Sequence, residues 1–169
     1  MFGVFIGEHD NKVDGKGRVS IPADFRRVLE EADPKWEAGR NPSMVIVYGG
    51  EKRNYLEIFT IADMKALSAK IARMPRGSRK RADLQQLYFS QAQVTTVDDT
   101  GRIVLSGKMR TKLGIGEAAK VVGNGETFLI WKPETYEIDG MAGLREEDDY
   151  DPEADPSIYL PGDEIAGGL

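Results

Sequence analysis

Apolar residues take every second position in two short stretches, at Val19 and Ile21 and, 84 residues later, at Ile103 and Leu105. Such alternation predicts a strand with one buried face. Before each stretch stands an Asp-x-x-Gly segment, Asp14 to Gly17 and Asp98 to Gly101. Aspartate can accept a bond from the backbone ahead of it and glycine permits a positive φ, so each segment predicts a turn. After each stretch the apolar positions change to helical spacing, with Phe25, Val28 and Leu29 in one copy and Met109 and Leu113 in the other. Pro22 suits the start of the first helix, and Gly114 the end of the second. Segments 13–29 and 97–113 align without a gap, with Asp, Gly, Arg and a second Arg all in register. The chain therefore contains an internal repeat.

Each copy continues with two apolar runs joined as a hairpin. Residues 44–48 connect through 49–54 to 55–59, and residues 119–123 connect through 124–126 to 127–131. Asn124-Gly125 is a strong hairpin turn. A helix follows each hairpin, over 61–73 and from 133 to about 138. Each half reads as strand, turn, strand, short helix, hairpin, helix. Four short strands alone make a poor sheet with exposed edges. Two halves interleaved into one closed barrel would remove those edges. The expected fold is mainly β with short helices (α+β), one closed barrel of two pseudo-repeats. Its parts are repeat 1 over 5–60, linking helices over 61–90, repeat 2 over 91–138 and an acidic tail over 143–169. In the linking part Leu84, Leu87 and Tyr88 keep helical spacing, and the 33–42 segment with Trp36, Gly39 and Arg40 reads as a polar loop. The tail carries Pro152, Pro156 and Pro161 and reads as flexible. Val19, Ile21, Val45, Val47, Ile58, Phe59, Ile103, Leu105, Val121, Phe128 and Ile130 are the expected core, and Phe59 and Trp131 close equivalent strands as packing residues.

Composition narrows the chemistry. The 169 residues include no cysteine and a single histidine, His9, so disulfides and zinc catalysis are not expected. The Gly15-Lys16-Gly17 segment lacks the spacing of a phosphate loop. No enzyme, cofactor or metal site is expected. The first ten residues lack a basic start and a long apolar stretch, so no signal peptide or membrane span is read, which fits a cytoplasmic protein. The net charge of −5 is unevenly placed: 145–169 holds nine acids and one base, and the remainder holds 22 bases and 19 acids, a net of +3. A basic body beside an acidic tail is a weak pointer to nucleic acid.

The doubled Asp-x-x-x-Arg motif, Asp14/Arg18 and Asp98/Arg102, resembles the MraZ family. Phe2-x-Gly, Gly17-Arg18-Val19-Ser20-Ile21-Pro22, Glu57-Ile58-Phe59 and Leu129-Ile130-Trp131 fit the same pattern, and the resemblance covers roughly residues 1–138. It implies two SpoVT-AbrB-like halves in one chain, joined as one swapped-hairpin, double-psi-type barrel, and a ring of such chains. It further implies a nucleoid-associated transcription factor, a repressor or autoregulator of the bacterial division and cell-wall gene cluster that binds short direct repeats. The motif turn and its arginine would face DNA. Copy two departs from the pattern with Ser106-Gly107 where copy one has Pro22-Ala23.

Within that resemblance, Arg18 with Lys12 and Lys16, and Arg102 with Lys108, are the expected DNA contacts. Arginine meets guanine or phosphate bidentately, and lysines and backbone N–H groups hold phosphates. Asp14, Gly17, Asp98 and Gly101 would shape the turns. The alternative is that Asp14–Arg18 is a local ion pair that only pins its turn. Arg76, Arg79, Lys80 and Arg81 form the densest basic run and are candidate phosphate contacts; a solvated helix start is the other reading. Arg26, Arg27, Arg110 and Lys112 read as a solvated helix face, and His9 as a surface polar residue. The alternative functions are a ring-forming module that recruits a protein partner, and an antitoxin-like relative. Ring size, operator sequence and the sense of regulation are not legible.

Overall fold

The computed structural model describes residues 3–140, 151 and 153–162. The first repeat runs β1 (Glu8–Lys12), β2 (Arg18–Ser20), α1 (Ala23–Glu31), β3 (Ser43–Val47), β4 (Tyr55–Thr60) and α2 (Ile61–Ala72). After α3 (Arg79–Gln85) and a π-helical turn (Gln86–Ser90), the second runs β5 (Ala92–Thr96), β6 (Arg102–Val104), α4 (Gly107–Leu113), β7 (Ala118–Asn124), β8 (Thr127–Trp131) and α5 (Pro133–Thr135). A further π-helical turn, Tyr136–Gly140, extends α5. The molecule is α+β and mainly strand, as the pattern predicts.

The repeats exchange their first strands. Six antiparallel strands run in the order β1-β7-β8-β4-β3-β5, so β1 pairs with the second repeat and β5 with the first. His9 faces Val121, and Thr95 faces Met44. The β4–β8 pair lies at the centre and relates the halves by an approximate two-fold. The relation holds in single hydrogen bonds: Gly123 N–H donates to Gly7 O at 2.7 Å, and its counterpart Tyr48 N–H donates to Gln91 O at 3.0 Å. A separate ribbon pairs β2 with β6, setting Val19 opposite Ile103. β1 and β5 are the outer strands of the six-stranded sheet, so the hydrogen-bonded strands form two sheets rather than one uninterrupted cylinder.

Burial follows from these pairings. Met44, Ile46, Leu56 and Ile58 on one face, with Val121, Phe128 and Ile130, join Val19, Ile21, Ile103 and Leu105 of the ribbon in one core. Helices α1 and α4 close that core through Phe25, Leu29, Met109 and Leu113. Phe5, Phe25 and Phe128 meet at its end with ring centroids 4.9–5.1 Å apart. On the opposite face Val45, Val47 and Phe59 are covered by α2 and the Leu87–Tyr88 turn, and Trp131 by Tyr136. Continuous apolar runs such as Met44 to Val47 are buried on both faces for this reason. All eleven expected core residues are buried, and Phe59 and Trp131 pack as expected.

Local signals set the ends of the elements. Thr60, Ser78 and Ser106 accept from Asp63, Arg81 and Met109 N–H and cap their helices. Gly114 ends α4 in the left-handed conformation at φ +71°. The 33–42 segment is a loop anchored by buried Asp33, whose carboxylate accepts from Lys35 and Ser43 N–H. The expected flexible tail lies for the most part outside the described residues. Its described part forms a 3₁₀ turn over Pro156–Tyr159, capped by Asp155.

Candidate nucleic-acid interface

Each motif aspartate builds its turn. Asp14 Oδ1 accepts from Lys16 N–H at 3.0 Å and from Arg18 N–H at 2.9 Å, while its own carbonyl accepts from Gly17 N–H. Asp98 Oδ1 accepts from Thr100 N–H and Arg102 N–H at 2.9 Å, and from the Thr100 hydroxyl at 2.8 Å. Gly17 and Gly101 complete the turns at φ +82° and +81°. The backbone N–H of Arg18 is the main cause that lowers the Asp14 carboxyl below its ordinary value. The N–H of Arg102 does the same for Asp98 and, with Thr100, brings it to about 2.

The free carboxylate oxygen of each aspartate takes the arginine four residues on. Arg18 Nε donates to Asp14 Oδ2 at 2.6 Å. Arg102 Nε lies 3.3 Å from Asp98 Oδ2, too poorly aligned for a hydrogen bond and buried without another. The ribbon places Arg18 opposite Val104 and Arg102 opposite Ser20, which brings the two turns together. Arg102 Nη1 reaches within 4.0 Å of Asp14 Oδ2. Lys12, Asp14, Gly15, Arg18, Arg102 and Arg110 share one open groove of about 680 Å³, with Glu117 also on its wall. The Arg18 and Arg102 side chains keep 33% and 31% exposure, so the ion pairs are not sealed. The pairs pin the turns, and the guanidinium groups still face solvent.

The other candidates divide. Lys12 and Lys16 are exposed beside the first turn. Lys108 is exposed outside the groove, its Nζ 4.8 Å over the Tyr48 ring. Arg76, Arg79 and Lys80 are exposed on the α2–α3 side, where Arg79 lies 3.9 Å from Asp83. Arg81 turns inward and donates to Met74 O at 2.7 Å and Ala72 O at 3.5 Å, closing the carbonyl end of α2. His9 is half-buried, edge-on to Phe25 at 5.3 Å, not a free surface group.

The solvated-face reading of the helix cations fits only Arg27, an exposed residue paired with Asp24 at 2.5 Å. Lys112 Nζ donates to Arg53 O at 2.6 Å and also to Tyr48 O, holding the β3–β4 loop. Arg110 Nε donates to Leu105 O at 3.0 Å. Arg26 is half-buried, with an Nε that has no partner. The signal for Arg26 and Arg110 was their 84-residue relation, identical to that of Gly17 and Gly101. Among the described residues no cluster of three His, Asp or Glu could hold a metal ion, and no helix is long and apolar enough to cross a membrane.

Comparison with known proteins agrees with this geometry. A family model described as "MraZ protein, putative antitoxin-like" matches residues 4–87 and again 88–140. A protein of Ruegeria pomeroyi named Transcriptional regulator MraZ is 48% identical over 165 residues, 97% of each chain. One of the same name from Cereibacter sphaeroides is 45% identical over 80% of this chain and 84% of its own. Another from Rhodospirillum rubrum is 33% identical over 79% and 82%. With both halves matched and the doubled Asp–Arg turn in place, the chain belongs to the MraZ family.

Proposed function

We propose that this chain is a DNA-binding transcriptional regulator. The observation that carries the reading is the pair of Asp-braced arginines, one per repeat, that share one open groove. A guanidinium held in a fixed pose and still exposed suits bidentate recognition of guanine in the major groove. Exposed Lys12 and Lys16 would add phosphate contacts beside it. The names of the relatives support the same class.

The finer reading is a sequence-specific repressor or autoregulator of the division and cell-wall cluster, binding short direct repeats as a ring in the nucleoid. The two repeats, over 5–60 and 91–138, would act as one reading unit joined by 61–90. A ring would multiply weak contacts into tight, salt-sensitive binding. A footprint on the DNA upstream of the gene, followed by electrophoretic shift of that site, tests the reading. Arg18→Ala should weaken the specific shift by about 1–3 kcal/mol and leave the native mass unchanged. A specific shift of undiminished affinity contradicts it.

A further inference from the structure

The 84-residue relation pairs each glycine of a motif turn with an arginine of the opposite repeat. Arg110 belongs to α4 of the second repeat, yet its guanidinium lies against the turn of the first. A Cβ added to Gly17 would fall 2.8 Å from Arg110 Nε and into contact with Leu105 O. Arg26 of α1 lies in the same way against the second turn, where a Cβ on Gly101 would fall 3.0 Å from Arg26 Cζ. The opposite repeat also grips both glycine carbonyls. Leu105 N–H donates to Gly17 O, and Ile21 N–H to Gly101 O, each at 2.8 Å.

We propose that Arg110 and Arg26 are positioning residues for DNA reading, each fixing across the repeat boundary the pose of the turn that carries Arg18 or Arg102. The inference rests on the DNA reading above and assigns these two arginines a role beyond it. Each aspartate hydrogen-bonds within its own turn, and Asp14 adds across the boundary a 4.0 Å approach to Arg102. The β2–β6 ribbon that joins the two turns is only three residue pairs long. A planar guanidinium packed beneath a glycine supplies a stiff floor that a lysine ammonium cannot reproduce. The two floors differ. Arg110 is tied to Leu105 O at 3.0 Å, whereas Arg26 Nε is buried without a partner. The guanidinium beneath the first turn is therefore tethered through its Nε and that beneath the second is not, so substitution of Arg110 should have the larger effect.

The test uses the full chain with Arg110→Met, Arg110→Lys and Arg26→Met, and Arg27→Met as an exposed control. Amide hydrogen exchange at Lys16 and Arg18 reads the first turn directly. Affinities for the footprinted upstream duplex and for a random duplex, each across a salt series, read the consequence. Arg110→Met should speed exchange at both amides by about tenfold. It should weaken the footprinted duplex by about tenfold, leave the random duplex unchanged and keep the salt slope. Arg110→Lys should not rescue it, and Arg27→Met should match the parent. Unchanged exchange overturns the inference. So does an equal loss on both duplexes with a slope smaller by about one, since that marks a phosphate contact. If the parent itself does not distinguish the duplexes, the DNA reading fails, and the exchange result still decides whether Arg110 props the turn.

Discussion

The Asp14 carboxylate stands between two arginines of different repeats, bonded to Arg18 Nε at 2.6 Å and lying 4.0 Å from Arg102 Nη1. It fixes one guanidinium and places a negative charge inside a basic groove. Asp14→Asn keeps an acceptor for the turn and removes that charge. Affinity for random duplex should rise, and discrimination in favour of the upstream site should fall. Fluorescence anisotropy on both duplexes measures the two quantities. Undiminished discrimination would show that the ion pair serves the turn alone.

Acid should loosen the turns. The Asp98 carboxyl falls from 3.8 to about 2 in the folded chain, chiefly through the N–H of Arg102. A folded value below the unfolded one means that its stabilisation is whole above the unfolded value and is lost as pH drops toward the folded one. Thermal midpoints should therefore fall between about pH 4 and pH 2. Asp98→Asn should flatten that part of the profile, and an unaltered profile would remove Asp98 from the acid response.

Two neighbouring glycines should respond very differently to alanine. Gly17 combines φ +82° with the crowding from Arg110 and Leu105, while a Cβ at Gly15 meets nothing within 4 Å. Gly17→Ala should cost about 1–3 kcal/mol in urea unfolding. Gly15→Ala should lie within about 0.5 kcal/mol of the parent. Equal costs would contradict the described turn.

Phe5 should be a keystone despite its place near the start of the chain. It is 1% exposed, its N–H donates to Gly125 O at 2.7 Å, and its ring meets Phe25 and Phe128. Phe5→Ala should destabilise by about 3–5 kcal/mol. A cost below about 1 kcal/mol would mean that the segment does not dock in solution.

The repeat, the turns and the strand faces were legible because they rest on short-range chemistry. Asp-x-x-Gly, alternation at Val19/Ile21 and Ile103/Leu105, and Asn124-Gly125 each encode their structure within a few residues. The pairing of β1 with β7 and of β5 with β3 depends on which distant edge is free, and no local pattern carries that. The same limit hid Arg26 and Arg110. Their helices put them on a polar stripe beside Phe25 and Met109, and only the exchange of strands lays the opposite turn on that stripe. The carbonyl contacts of Arg81 and Lys112 were hidden for a related reason. Each satisfies carbonyls of a helix end or loop, whose need for a donor is invisible until the chain folds. Phe5, outside any strand pattern, gave no periodic signal at all.

On the proposed reading, one arginine from each repeat contacts the DNA, and the two act together. Salt-matched dissociation constants for the footprinted upstream duplex and a random duplex, measured with the parent, Arg18→Ala, Arg102→Ala and the double variant, test it most directly. Each single substitution should cost about 1–3 kcal/mol of discrimination, with the native mass unaltered. Discrimination preserved in the double variant would contradict the account.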